Sequence, residues 1–219
     1  MRAGSYNEQL PFEQVYTEEK VEKIQALIED LFWRGSKSGN NTGAGAATGN
    51  LTLCNGIINT LEFTSASASV IVAGASFSGF NKSDSIAIID AVITAANTSA
   101  SDILGQDNLN IYLSYGNFTK LMQALREANY FHYDSNFGDF RVNQYLGTNW
   151  NIIAVRGLNG TNKVVATYAA NLYYGVDLEN DFETFEMWYE RFQDLVYFRS
   201  KFKVGAQVAF PEFIVEYKG

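Results

Sequence analysis

The sequence holds one imidazole and one thiol, His132 and Cys54. Acid–base or nucleophilic catalysis needs the imidazole beside a nucleophile or a carboxylate. Asp134 is near His132 along the chain, but spacing alone does not make a pair, so His132 reads as a surface or packing residue. Cys54 has no second cysteine for a metal site and no surrounding motif that marks a nucleophile. It reads as a small buried hydrophobe. HExxH, CxxC, GxSxG and GxGxxG are all missing from the sequence. No residue is assigned a catalytic, cofactor-binding or metal-ligating role, and the chain is not expected to be an enzyme.

Two further clusters carry potential chemistry. Asp177, Glu179, Asp181, Glu183 and Glu186 alternate in a way that supplies oxygen ligands for calcium. The calcium-loop spacing with its glycine and final glutamate is not there, so a solvated loop is the better reading. Asp177 and Glu186 also define a third functional class, a hydrolase with two converging acids. The rings Phe182, Phe185, Trp188, Tyr189, Phe192, Tyr197 and Phe198 form a dense aromatic segment. They suit a core, a contact between subunits or, as the second functional class, a carbohydrate- or surface-binding platform over 182–198. Residues 35–50 hold five glycines among small polar residues. A phosphate loop follows a strand and ends in Lys-Ser/Thr. This one follows a helix and lacks that ending, so it reads as an adaptable surface loop.

Composition frames these candidates. The 219 residues are 47% hydrophobic, 18% charged and 15% aromatic, a globular balance long enough for a substantial core. The net charge is -8 with no basic cluster, so tight nucleic-acid binding is not expected. A single cysteine permits no internal disulfide. The N-terminus lacks the apolar stretch of a signal peptide, and no apolar run approaches the roughly 20 residues that span a membrane. With no export signal, the Asn50-Leu51-Thr52 and Asn117-Phe118-Thr119 triplets read as chance.

The elements that must position these residues follow from periodicity. Thr17 as cap and Val21, Ile24, Leu27, Ile28, Leu31 and Phe32 at helical steps predict a helix over 18–34, ended by Gly35. Residues 51–80 suggest short strands or an irregular connection. Ser83 is the predicted cap of a helix over 84–97, with Ile86, Ile89, Ala91, Val92, Ile93 and Ala96 on its face. Leu109, Ile111 and Leu113 alternate as a half-buried strand. A third helix begins after Gly116, with Phe118, Leu121, Met122 and Leu125 at helical spacing. Ile152, Ile153 and Val155 lead into Asn159-Gly160, a hairpin signal, before Val164, Val165 and Thr167. Strand-like runs at Leu172-Tyr173 and from Leu195 to Phe210 precede Pro211, Ile214 and Val215. Helices early and strands late predict an α+β fold.

The order of these segments resembles the C-terminal part of a tailed-bacteriophage major capsid protein, the fold shared with encapsulins. The segments are Leu31-Phe32-Trp33-Arg34-Gly35 running into Gly49-Asn50-Leu51-Thr52, then Ile86-Ala87-Ile88-Ile89-Asp90-Ala91. Next come Leu109-Asn110-Ile111-Tyr112-Leu113-Ser114-Tyr115-Gly116-Asn117-Phe118 and Ala169-Ala170-Asn171-Leu172-Tyr173-Tyr174-Gly175-Val176-Asp177. The closing run is Phe202-Lys203-Val204-Gly205-Ala206-Gln207-Val208-Ala209-Phe210-Pro211.

The resemblance implies a spine helix with a peripheral-domain sheet, and an axial domain of mixed sheet flanked by helices. It divides the chain into an arm or truncated end (1–16), the spine helix, Gly-rich loop and start of the peripheral domain (17–80), an axial-like domain (81–170) and the return strands (171–219). It implies a virion structural protein, made in the bacterial cytoplasm. Its partners would be copies of itself in hexameric or pentameric capsomers, with no cofactor and no membrane. The family's N-terminal arm and extended hairpin loop have no counterpart ahead of residue 17, so a truncated form or excised domain is expected, and no crosslinking residue is carried over.

Overall fold

The computed structural model describes residues 12–39, 49–63, 69–73, 77–128, 142–145, 147–176, 185–193, 195–200 and 203–219. The helices are α1 (Phe12–Arg34), α2 (Ile57–Phe63), α3 (Ser85–Ser99) and α4 (Tyr115–Glu127). The strands in the first part of the chain are β1 (Ile71–Val72), β2 (Leu109–Ser114), β3 (Val142–Gln144), β4 (Asn151–Val155) and β5 (Val164–Tyr168). Later come β6 (Leu172–Val176), β7 (Phe185–Glu190), β8 (Leu195–Ser200), β9 (Val204–Val208) and β10 (Val215–Tyr217). The fold is α+β, as the order of apolar patterns predicts.

One mixed sheet of six strands organises the body, in the order β1-β10-β5-β2-β4-β3. Strands present alternate residues to opposite faces, and here both faces are covered. Ile111, Leu113, Ile152, Ala166, Val215 and Tyr217 point into the larger core with residues of α3 and α4. Val165 and the partly buried Tyr112 and Val155 point the other way, into a second core with Trp33 of α1 and Ile57, Ile58 and Leu61 of α2. This corrects the expectation for β2. It is not half-buried, because five of its six residues are buried and Tyr112 is partly so.

The Asn159-Gly160 signal marks a turn, but the flanking strands do not form a hairpin. Thr161 N donates to Leu158 O at 3.1 Å across it. Asn159 has φ -60° and ψ 137°, and Gly160 has φ 79°, which is a type II turn. Such a turn does not match the twist of a tight antiparallel pair. The strands on either side separate accordingly. β4 pairs parallel with β2, β5 pairs antiparallel with β2, and β2 lies between them.

Helix boundaries also shift from their expected places. α1 begins at Phe12, so Thr17 is interior and not a cap. Lys20 Nζ lies 4.9 Å from the Tyr16 ring centre and Lys23 pairs with Glu19, both one turn apart on this extended helix. α3 starts at Ser85 behind Asp84. Ser83 Oγ donates to Asp84 Oδ1, while Ser85 Oγ donates to Lys82 O, so no side chain caps the helix. α4 begins at Tyr115, one residue before Gly116, because Ser114 Oγ accepts from Asn117 N.

α2 lies where short strands or an irregular connection are expected. Its β-branched start, Ile57-Ile58, favours a strand locally, but tertiary packing prevails. The backbone of Gly56 crosses the end of α1 so closely that a Cβ there would sit 2.6 Å from Leu31 O and 2.7 Å from Gly35 N. Gly56 N donates to Gly35 O at 2.8 Å, and Asn59 Nδ2 donates to Ser36 Oγ at 3.0 Å. This glycine crossing seats α2 against α1 and buries Ile57 to Leu61 completely or nearly so.

Outside the six-stranded sheet the later strands form two antiparallel pairs, called the ribbon below. β6 pairs with β9, and β7 with β8 around a turn at 191–193. Eight residues, 177–184, separate the strands on the outward side, and three, 201–203, on the return.

Candidate functional site

Among the described residues, those with chemical potential do not converge on one site. His132, Asp134, Asp177, Glu179, Asp181, Phe182 and Glu183 lie outside the described residues. Phe185 and Glu186 fall on β7 and Phe198 on β8. Cys54 is partly buried, and its thiol is pushed up by that burial, with Lys37 acting weakly in the other direction. A raised thiol is a poor nucleophile. Among the described residues, no group of three or more His, Cys, Asp or Glu side chains is gathered where a metal could sit. None of the described helices is long and apolar enough to cross a membrane.

The aromatic segment is different, because the ribbon does assemble part of it. Trp188 and Tyr197 are a directly opposed cross-strand pair, and their rings stack at 5.6 Å with an interplanar angle of 16°. Such pairs are the unit of sheet stabilisation on an otherwise bare face. They remain open to solvent, at 43% and 37% exposure, with Tyr189 at 56% and Phe192 of the turn at 98%. Tyr173, Tyr174 and Val176 of β6 are exposed as well. Aromatic side chains of this kind are enriched where proteins meet one another.

A line of rings ties the ribbon to the body. Tyr112 of β2 meets Trp33 at 5.2 Å, Trp33 meets Phe32 at 5.4 Å edge-on, and Phe32 meets Tyr174 of β6 at 6.1 Å. Tyr112 is buried enough that its hydroxyl is pushed up, although Asn110 Nδ2 donates to its oxygen at 3.0 Å. The Leu31-Phe32-Trp33 run at the end of the first helix is therefore the junction between sheet and ribbon. Glu29 fastens the same end of α1 to the body. Its Oε1 accepts from Arg156 N at 2.7 Å and Gly157 N at 3.2 Å, which satisfies the free donors of a helical turn.

A second cluster escapes sequence reading entirely. Lys163 and Glu62 form an ion pair with side chains only 5% and 9% exposed. Glu216 of β10 lies beside them, wholly buried. Among the described residues no N–H or hydroxyl donor reaches either of its carboxylate oxygens. In an alternating strand such a glutamate reads as the solvated step. The cover of α2 and of the end of α1 over that face makes it interior.

No family model matches the sequence, and no curated protein matches it. Solved structures are similar to it. The cyanophage A-1(L) capsid asymmetric unit aligns over 93% of this chain and 67% of its own, at 14% identity and a TM-score of 0.50. A chain of Mycobacterium phage Che8 aligns over 68% of this chain at 12% identity and a TM-score of 0.47, and this chain spans about half, 53%, of its length. The virus-like particle from Pyrococcus furiosus aligns over 74% of this chain and 58% of its own, at 18% identity and a TM-score of 0.41. On the first of these likenesses, the chain has the phage-capsid fold that its order of segments resembles.

Proposed function

We propose that this chain is a structural subunit that builds the shell of a tailed phage or prophage by associating with copies of itself, without catalysis. The observation that carries this reading is the agreement of fold with a phage capsid subunit over 93% of the chain. In this reading α1 is the spine helix, residues 81–170 form the axial lobe, and the ribbon within 171–219 belongs to the peripheral lobe. The exposed rings Trp188, Tyr189 and Phe192 are the kind of residues that anchor contacts between proteins. Each contact is modest, and repetition in hexameric or pentameric capsomers multiplies it. The product resides in the virion and is made in the bacterial cytoplasm. A net charge of -8 suits a shell wall that does not grip packaged DNA.

Sedimentation velocity of the chain over a hundredfold concentration range tests the proposal. Growth of discrete oligomers, reduced by Trp188→Ala, supports it. A monomer at every concentration counts against it. The exposed Trp188–Tyr197 stack also favours a second reading, a carbohydrate- or surface-binding platform. That reading requires a monomer whose glycan binding is lost in Trp188→Ala.

A further inference from the structure

The ribbon is not the only place where the fold leaves a group unsatisfied. Glu216 is fully buried on the sheet face that α2 shares, no N–H or hydroxyl donor among the described residues reaches either oxygen, and its carboxyl lies within hydrogen-bonding reach of the Glu62 carboxyl once one of the two carries a proton. The charged groups around it come from three directions. Glu62 stands on α2, Lys163 just ahead of β5, and Lys218 just after β10. β1 offers only the uncharged Val72 at the paired position. Lys163 is already engaged by Glu62. The dry cluster thus holds two carboxyl groups and one committed ammonium.

We infer that Glu216 is a proton-operated latch that closes α2 over the β5–β10 part of the sheet and so holds the C-terminal end of α1. With a proton on Glu216 the cluster is neutral, and Ile57, Ile58 and Leu61 of α2 share one core with Val165 and Ile214. Without it, a second negative charge faces Glu62 in a place that water does not reach, and such a charge is costly to keep. Opening α2 hydrates it. Because α2 carries Asn59, which holds Ser36, and follows Gly56, which crosses Gly35, opening also frees the end of α1. Burial, followed by the nearby Glu62, raises the Glu216 carboxyl to about 8, which supports the protonated state in the closed form. The inference does not depend on the shell reading.

The sign follows from linkage. A carboxyl that titrates near its ordinary 4.5 when open and about 8 when closed makes opening easier at each step of pH between those values. Above them the effect levels off. The experiment is amide hydrogen exchange of the full chain, corrected for intrinsic rates. In the wild type, protection of the Ile58 to Leu61 amides falls about tenfold per unit between about pH 5.5 and 7.5. In Glu216→Gln the slope disappears. In Glu62→Gln, Lys163 is released to Glu216, and the slope shrinks. A wild-type slope absent, or equal to that of Glu216→Gln, overturns the inference. Should a variant fail to fold, carbon-13 titration of the Glu216 carboxyl in the wild type decides: a midpoint in the ordinary glutamate range overturns it, and one near 8 sustains it.

Discussion

The body and the ribbon treat aromatic side chains in opposite ways. In the body, Trp33 and Trp150 are 4% and 1% exposed, and both sit in a core. In the ribbon, Trp188 is 43% exposed and Phe192 98%. A sheet of six strands with helices on both faces can bury what it carries. An isolated two-stranded ribbon has one layer and is marginal in water without further cover. In the proposed shell reading, stability and association would be drawn from different parts of one chain. Side chains that hold the fold fill the two cores on either face of the sheet, and the most exposed rings lie on the ribbon.

This separation can be broken by mutation. The largest stability effect belongs to Trp33→Ala, which removes the ring between Tyr112 and Phe32. It costs about 3–5 kcal/mol, by the usual scale for emptying a buried aromatic site, read as a lower denaturant midpoint. Next comes Glu216→Gln. Its folded carboxyl is raised from 4.5 to about 8, so the wild type loses stability as pH rises through that interval and no more above it. The variant lacks this loss and unfolds at a higher temperature than wild type at pH 8.5, by an amount equivalent to a few kcal/mol. Thermal scans at pH 5 and 8.5 check it.

Trp188→Ala falls in between. Losing a cross-strand aromatic pair costs about 0.5–1 kcal/mol, while association weakens at least tenfold by sedimentation. Smallest is Phe192→Ser, which leaves stability within about 0.5 kcal/mol of wild type yet lowers self-association. If Phe192→Ser instead destabilised the fold as much as Trp33→Ala, the division between body and ribbon would be wrong.

Sequence reading recovers the parts of the fold that periodicity controls. The apolar stripe of α1, the spacing of Phe118, Leu121 and Leu125 in α4, and the strand at Leu109 are local patterns, and they persist. What escapes it depends on neighbours distant in the chain. Ile57-Ile58 is a strand signal overruled by a glycine crossing at Gly35. Asn159-Gly160 specifies a turn, but its type II geometry and the insertion of β2 between β4 and β5 mean that no hairpin forms there. The ribbon's aromatics are legible as a cluster, whereas the stacking of Trp188 on Tyr197 needs the strand register. Glu216 gives no signal because its burial comes from α2 and the end of α1, more than 150 residues earlier.

The position of β10 has a consequence for synthesis. β1 touches the sheet only through β10, which lies between it and β5. Residues 71–72 therefore wait for 215–217 to leave the ribosome, on the order of ten seconds at the usual rate of elongation. During that interval the face that will receive α2 has no Glu216 and no Ile214, and its apolar residues are uncovered. Many ribosomes on one message would hold many such half-built chains side by side. The sheet edge at β1 is therefore completed only after residue 217 has emerged.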